Sequence, residues 1–157
     1  MSVLDQLQQK ILNEARALSP WVQEMREDFH RHPELRFEEH RTSEVCATEL
    51  ENLGISVERA VGLTGVVGTL EGDGGDGPVI AFRAEMDALK LPDMCGAQYQ
   101  SETDGIAHLC GHDGHVASLL GAARILAGLR ESLPATIKFL FEPSEEATPP
   151  EEKCGAE

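Results

Sequence analysis

The sequence lacks the features of membrane, secreted and nucleic-acid-binding proteins. No apolar run approaches the roughly 20 residues that a membrane-spanning helix needs, and the segment from Met1 to Leu18 is amphipathic and charged, unlike a signal peptide. Basic residues are few, with 13 lysines and arginines against 28 aspartates and glutamates and a formal net charge of −15. This balance argues against nucleic acid or an anionic membrane as a partner. We therefore expect a globular protein of the cytoplasm.

Cysteine is also scarce, since only Cys46, Cys95, Cys110 and Cys154 occur in 157 residues. They lack the dense spacing of a disulfide scaffold, which fits a reducing compartment. Cys46 lies in a helical pattern and is expected to be a small buried hydrophobe. Only Cys110 has neighbours that could bind a metal, and Cys95 and Cys154 remain unassigned. A hydrophobic content of 41% at this length predicts one globular domain.

Periodicity and turn signals predict an α/β fold in which a mixed sheet is flanked by helices. The stretch 72–77, rich in glycine and aspartate, has no lysine followed by serine or threonine, so a plain hairpin turn is favoured over a phosphate cradle. Asp113 is expected to cap the fourth helix, and residues 90–107 to form a long loop. The predicted helices cover 4–18, 20–32, 39–53 and 114–129, and the predicted strands 55–57, the antiparallel hairpin 65–70 and 79–83, and 136–141.

The most informative segment is 107–115, which holds one thiol, three imidazoles and a carboxylate. Cys110 and His112 are two positions apart, so in an extended loop both side chains can reach one ion. Glu145 and Glu146 follow the strand 136–141, at the edge where α/β sheets bind ligands. One glutamate can bind the ion, and the other can take a proton from a water molecule whose pKa the ion has lowered. The alternatives are a buried thiol beside a structural histidine, and a solvated helix start.

Three further groups of polar residues surround this pattern. His108, Asp113 and His115 are candidates for orienting the ligands, and Asp113 can also act as the helix cap. Arg, Glu and Asp at positions 83, 85 and 87 recur at period two, which puts them on one face of a strand. Two interpretations of this row are about equally favoured: it tunes a metal site, or it is a surface salt-bridge cluster. Residues 30–34 (His-Arg-His-Pro-Glu) end a helix, so capping is their first interpretation and a functional role the second.

Five motifs in order give the chain a family resemblance. The motifs are Phe-His-Arg-His-Pro-Glu-Leu at 29–35, Thr-Gly-Val-Val at 64–67, Arg-Ala-Glu-Met-Asp-Ala-Leu at 83–89, His-Leu-Cys-Gly-His-Asp-Gly-His at 108–115, and Pro-Ser-Glu-Glu at 143–146. With them the chain resembles the dinuclear-metal amidohydrolases of the aminoacylase and carboxypeptidase superfamily. Within that superfamily it is most similar to the branch of hippurate hydrolases, N-acyl-amino-acid amidohydrolases and plant indole-acetyl-amino-acid hydrolases.

The resemblance implies a catalytic domain of the zinc-exopeptidase type that cleaves the amide bond of N-acyl amino acids or short peptides. It also implies two divalent metal ions, manganese or zinc, in the complete enzyme, which could be a homodimer. By this resemblance Cys110, His112 and Glu146 are metal ligands, and Glu145 is the general base. Asp87 is a supporting residue near the metals, and His115 lies beside the ligand loop without a firm role.

The chain departs from the family pattern in two ways. Glu85 stands where such enzymes usually have aspartate, which shifts the surroundings of the metals by one methylene. A further histidine ligand, the dimerisation domain and a C-terminal histidine ligand are absent, and the segment after Glu146 has no core signal. We therefore expect residues 1–157 to be the incomplete N-terminal part of a catalytic domain. The alternatives are a non-catalytic short product that binds metal or pairs with a full-length relative, and a purely structural metal site.

Overall fold

The computed structural model describes residues 2–75, 77–146 and 155, which form a mixed four-stranded sheet with helices packed on it. The mixed α/β fold predicted from the sequence is confirmed. Within the described residues the elements are α1 (Val3–Arg31), α2 (His40–Asn52), β1 (Ser56–Val61), β2 (Gly65–Glu71), β3 (Val79–Glu85), α3 (His112–Ala127), a short 3₁₀ turn (Arg130–Ser132) and β4 (Thr136–Glu142).

Helix α1 is one continuous helix of 29 residues, so the predicted break before Pro20 is wrong. The Ser2 hydroxyl accepts from the Asp5 backbone N–H, and the Asp5 carboxylate accepts from the Ser2 N–H, which makes a capping box. Pro20 removes one helical hydrogen bond, but the helix stays continuous because its second half packs against α3. The second half of α1 packs closely on α3, where a Cβ on Gly121 would lie only 2.9 Å from Val22 Cγ2.

The strand order is β1-β2-β4-β3, so the predicted hairpin of the second and third strands is wrong. Strand β4 lies between them, antiparallel to β2 and parallel to β3. The glycine-rich connection crosses the start of β4, where Gly72 and Gly74 donate backbone N–H groups to the carbonyls of Ala135 and Leu133. The glycine-rich turn residues correctly predict that the chain changes direction between β2 and β3. They do not predict that β4, which comes much later in the chain, pairs between these two strands.

The core lies between the sheet and helices α2 and α3. Along β4, the alternate residues Ile137, Phe139 and Phe141 are buried, as expected for the central strand predicted over 136–141. Cys46 on α2 is fully buried in this core, which confirms its predicted role as a small hydrophobe, and burial raises the pKa of its thiol well above the usual value. Among the described residues, no helix combines the length and apolar character needed to cross a membrane.

The ends of the helices differ from those predicted because distant side chains compete for the caps. Helix α3 begins at His112 after Gly111, whose φ of 92° favours glycine, and no side chain caps it. The prediction that Asp113 caps this helix is therefore wrong. The Glu34 carboxylate accepts from the backbone N–H groups of Arg41 and Thr42, so it serves the start of α2 rather than the end of α1.

Candidate metal centre

The predicted site residues lie at the carboxyl edge of two parallel strands. Strands β3 and β4 pair in parallel up to Glu85 and Glu142, so the segments that follow them leave the sheet at one edge. The first turn of α3 reaches the same edge. There the Cys110 thiol, a His112 ring nitrogen and a Glu146 carboxylate oxygen all lie within 4.8 Å of one another. The structure thus brings together the three residues that the sequence predicted as metal ligands.

Glu145 and Glu146 lie beside His112 but differ in exposure. Their nearest carboxylate oxygens are 3.8 Å and 4.0 Å from His112 Nε2, respectively. The side chain of Glu146 is 25% exposed and that of Glu145 is 38% exposed, with Arg83 Nη2 lying 3.9 Å from Glu145 Oε1. The more open Glu145 carboxylate can therefore meet a molecule from solvent, while Glu146 lies closer to the protein interior.

Asp87 fixes the orientation of the buried His112 ring. His112 Nδ1 lies 2.8 Å from the Asp87 carbonyl oxygen, which can only accept, so Nδ1 carries a proton and Nε2 faces the two glutamates. Asp87 Oδ1 lies 3.2 Å from the same nitrogen. Burial by itself would lower the pKa of His112, but these bonds to Asp87 raise it to about 9. A histidine whose Nδ1–H is held by a backbone carbonyl, with a carboxylate oxygen 3.2 Å away, presents its other nitrogen for metal binding.

Asp87 also holds the segment that carries the two glutamates. Its Oδ2 accepts from the Glu146 backbone N–H at 2.9 Å, and the side chain is almost fully buried. Burial would raise the pKa of Asp87, but the bonds from His112 and from the backbone lower it overall. The predicted supporting position of Asp87 therefore corresponds to a bridge between two segments of the centre.

We expect Asp87→Asn to weaken zinc binding about 10- to 100-fold, because an uncharged amide holds the His112 ring and the Glu146 N–H less firmly. The measurement is a competition titration with a coloured chelator, using the protein that carries this chain. Asp104→Asn, in an exposed part of the long loop, is the matched control and should leave the affinity unchanged. Equal affinity in the Asp87 and Asp104 variants would show that the bridge does not support metal binding.

Glu39 is a buried carboxyl group at the site that the sequence reasoning missed. Its side chain accepts from the Ser144 backbone N–H at 2.9 Å and from the Thr64 hydroxyl, and the residue is fully buried. Burial raises the pKa of Glu39, although these hydrogen bonds act in the opposite direction. Ser144 has a φ of 55°, in the left-handed region, directly before Glu145. The two glutamates are thus held by Glu39 on one side and by Asp87 on the other.

The remaining candidates lie around the centre in different environments. Asp113 accepts from His30 Nδ1 at 2.7 Å and from Arg26 Nε at 3.1 Å, so it orders helix α1. His30 is buried rather than serving as a helix cap. His108 is also buried, neither of its ring nitrogens has a hydrogen-bond partner in the described part of the chain, and burial lowers its pKa to about 4.

The row of charges at positions 83, 85 and 87 divides into two parts. Arg83 and Glu85 form an ion pair at 2.7 Å, and the Glu85 carboxylate also lies 2.7 Å from Nδ1 of the exposed His115. Asp87 follows the end of β3 and is buried, so the prediction that it shares a face with the other two is wrong. The longer Glu85 side chain reaches His115, whose ring centroid is 5.8 Å from that of His112.

The donor set fits a divalent metal ion. A thiol, an imidazole and a carboxylate are ligands that suit zinc and, for the nitrogen and oxygen donors, manganese. The bond to Glu146, followed by burial and the charges of Glu145, Glu146 and Glu85, raises the pKa of the Cys110 thiol. Such a concentration of negative charge around a thiol is compensated when a cation binds there. The geometry therefore places the chain among α/β proteins with a candidate metal centre at the sheet edge.

Comparison with known proteins agrees with this class. Residues 81–157 match the model of the peptidase family M20/M25/M40. Thermostable carboxypeptidase 1 of Saccharolobus solfataricus is 39% identical over 141 residues, which cover 89% of this chain and 36% of that protein. The Arabidopsis thaliana IAA-amino acid hydrolase ILR1-like 2 is 41% identical over 143 residues, which cover 90% of this chain and 32% of that protein.

A solved structure shares both the fold and the sequence pattern. The Bacillus subtilis YXEP protein, described as a dinuclear metal binding peptidase from the M20 family, superposes with a TM-score of 0.78 and 40% identity over 83% of this chain and 36% of its own. Residues 81–157 thus belong to the peptidase family M20/M25/M40, and the fold over 83% of the chain is that of a solved protein described as a member of the M20 family. It spans about a third of the length of the curated relatives that it matches.

Proposed function

We propose that the protein carrying this chain is a metal-dependent amidohydrolase that cleaves the amide bond of N-acyl amino acids or short peptides. Residues 1–157 are the N-terminal part of its catalytic domain, and the dimerisation domain and C-terminal part lie outside this chain. The observation that carries the proposal is the convergence of Cys110, His112 and Glu146 within 4.8 Å, with Glu145 beside them. A cytoplasmic location and a homodimeric full-length form belong to the same proposal.

The names of relatives support the substrate class. One relative is named as an IAA-amino acid hydrolase and another as a carboxypeptidase, and both names describe cleavage of an amide next to an amino acid. Cys110, His112 and Glu146 would hold metal in this chain, and the complete enzyme would bind two divalent ions, manganese or zinc. When bound, such ions polarise a carbonyl group and lower the pKa of a water molecule.

The residues of the chain supply the proton transfers. Glu145 takes a proton from the attacking water and returns it to the leaving amine, as a general base and then a general acid. Its carboxylate is open to solvent and lies 3.8 Å from His112 Nε2, so it is close to the ligands without being enclosed by them. Glu39 and Asp87 hold the backbone on either side of Glu145, which keeps its carboxylate in place.

Cys110→Ala tests the proposal by removing one ligand from an exposed position. We expect the full-length protein to hydrolyse N-acyl amino acids when loaded with manganese or zinc, and the variant to lose at least about 100-fold in kcat together with bound metal. Metal content is measured by elemental analysis after gel filtration. An unchanged kcat in the variant would contradict the assignment of Cys110.

The same assay on the 157-residue chain separates the two interpretations of the short form. Turnover by the purified chain that vanishes in Cys110→Ala would exclude a non-catalytic product. Metal binding without turnover by the chain, together with turnover by the full-length protein, would show that the second metal position and the substrate pocket need residues outside it. Unfolding of the chain by a chelator in the absence of any turnover by the full-length protein would favour a structural metal site.

A further inference from the structure

A second set of metal-binding side chains lies outside the centre described above. A His30 ring nitrogen, an Asp93 carboxylate oxygen and the Cys95 thiol all lie within 4.8 Å of one another. His30 comes from the end of α1, and the other two come from the long loop over 90–107. The proposed hydrolytic centre uses none of them. We propose that these three side chains form a zinc site that ties the loop to α1.

Two of the three distances between the donor atoms are close to those of a tetrahedral zinc site. His30 Nε2 lies 3.2 Å from Asp93 Oδ2, and Cys95 Sγ lies 3.4 Å from the same oxygen. With zinc bonds of about 2.0 Å to nitrogen and oxygen and about 2.3 Å to sulfur, neighbouring ligand atoms are about 3.3 to 3.6 Å apart. The two pairs that include Asp93 are therefore already at about the spacing that one ion requires, and the third pair, His30 and Cys95, lies within 4.8 Å.

The hydrogen bonds of His30 leave its Nε2 directed at the proposed ion position. Its Nδ1 lies 2.7 Å from Oδ2 of the buried Asp113, so Nδ1 donates to this carboxylate. In the neutral ring, the lone pair on Nε2 then faces the Asp93 oxygen, an acceptor. Two acceptors at 3.2 Å need either a proton or a bound cation between them. A carboxylate behind a histidine is also the usual arrangement at zinc sites.

The loop holds Asp93 and Cys95 in place before any ion binds. Asp93 Oδ2 accepts from the Ser101 backbone N–H at 2.8 Å, and Oδ1 accepts from the Cys95 N–H at 2.9 Å. These bonds fix the carboxylate and bring the thiol next to it, so little ordering is needed on binding. Cys95 is exposed, which gives the ion a path from solvent and leaves a fourth position for water.

A zinc ion at this site would connect the long loop to the hydrolytic centre through His30 and Asp113. Asp113, which holds the His30 ring, follows His112 directly in the first turn of α3. An ion on His30 would join the loop to α1, and Asp113 would join this assembly to the helix start that carries His112. The competing account is a hydrogen-bonded chain from Asp113 through His30 to Asp93, with a proton in the place of the ion, which needs no metal.

Cobalt(II) distinguishes the two accounts because a cobalt–thiolate bond gives a near-ultraviolet charge-transfer band. The full-length protein carrying Cys110→Ala and His112→Ala, which removes the proposed hydrolytic centre, is stripped with a chelator and titrated with cobalt(II). We expect one equivalent to bind with this band. Adding Cys95→Ser should abolish the band and weaken binding at least about 10-fold, whereas Cys154→Ser should leave both unchanged.

The absence of a thiolate band in the double variant, or a band that persists in Cys95→Ser, would overturn the proposal. Because Cys95 is exposed, Cys95→Ser alone should also fold, and it provides a second measurement in the otherwise unchanged protein. There it should lose one equivalent of zinc while hydrolysis of N-acyl amino acids continues. Unchanged zinc content would count against the site. A failure of hydrolysis in the unchanged protein would bear only on the proposed function.

Discussion

Glu145→Gln is expected to lower kcat by about 10²- to 10⁴-fold in the protein that carries this chain, with bound metal retained. Glutamine has the shape of glutamate but does not accept a proton, so the attacking water loses its base. The three proposed metal ligands are left in place, and the backbone bonds from Glu39 and Asp87 to the neighbouring residues do not involve the Glu145 side chain. Steady-state kinetics on an N-acyl amino acid and metal analysis of the same sample provide the test.

Glu146→Gln is the matched control, because it makes the same chemical change one residue later. There we expect weaker metal binding as the main effect, with activity partly restored by excess metal. If Glu145→Gln kept substantial activity, or if it lost metal as Glu146→Gln does, the general-base role of Glu145 would be wrong. The pair of variants therefore separates proton transfer from metal binding within two adjacent residues.

The sequence predicted the components of the site better than their arrangement in the sheet. Cys110 and His112 were recognisable because they lie two residues apart in one loop, and Glu145 and Glu146 because they follow an apolar strand at its carboxyl end. These are local patterns. The pairing of β4 with β2 is not local, since it joins residue 66 to residue 141. The sequence of the turn between β2 and β3 therefore does not predict that β4 lies between them.

Residues whose roles depend on long-range hydrogen bonds gave misleading local signals. Asp113 has the sequence position of a helix cap, but its carboxylate is engaged by Arg26 and His30, which are more than 80 positions away. Glu39 looks like an ordinary acidic residue at the start of α2, yet it bonds to Ser144, 105 positions along the chain. Neither partner can be inferred from spacing, because only the folded sheet brings the segments together.

The second large effect is expected from Glu39→Ala. This change leaves the buried Ser144 N–H and the Thr64 hydroxyl without their acceptor, at a cost of about 1 to 3 kcal/mol for each group. The segment before Glu145 is then free to shift, and a displacement of about 1 Å at a catalytic group can cost about 100-fold in rate. We therefore expect a lower urea midpoint, a kcat reduced about 10- to 100-fold and a smaller change in KM. Glu38→Ala, at an exposed neighbouring position, is the control.

Glu39→Gln separates the hydrogen bond from the charge. Its side-chain oxygen can still accept from Ser144, so most of kcat should return; if Gln and Ala were equally impaired, positioning through this bond would be wrong. Because burial raises the pKa of Glu39, the folded protein binds this proton more tightly than the unfolded chain does. Proton binding by Glu39 therefore adds to the free energy of unfolding at pH values below the ordinary glutamate pKa. This added stability is lost as the pH rises through the raised pKa of Glu39 in the folded protein. Glutamine cannot titrate, so the urea midpoint of the unchanged protein, measured relative to that of Glu39→Gln, should fall as pH rises through this range.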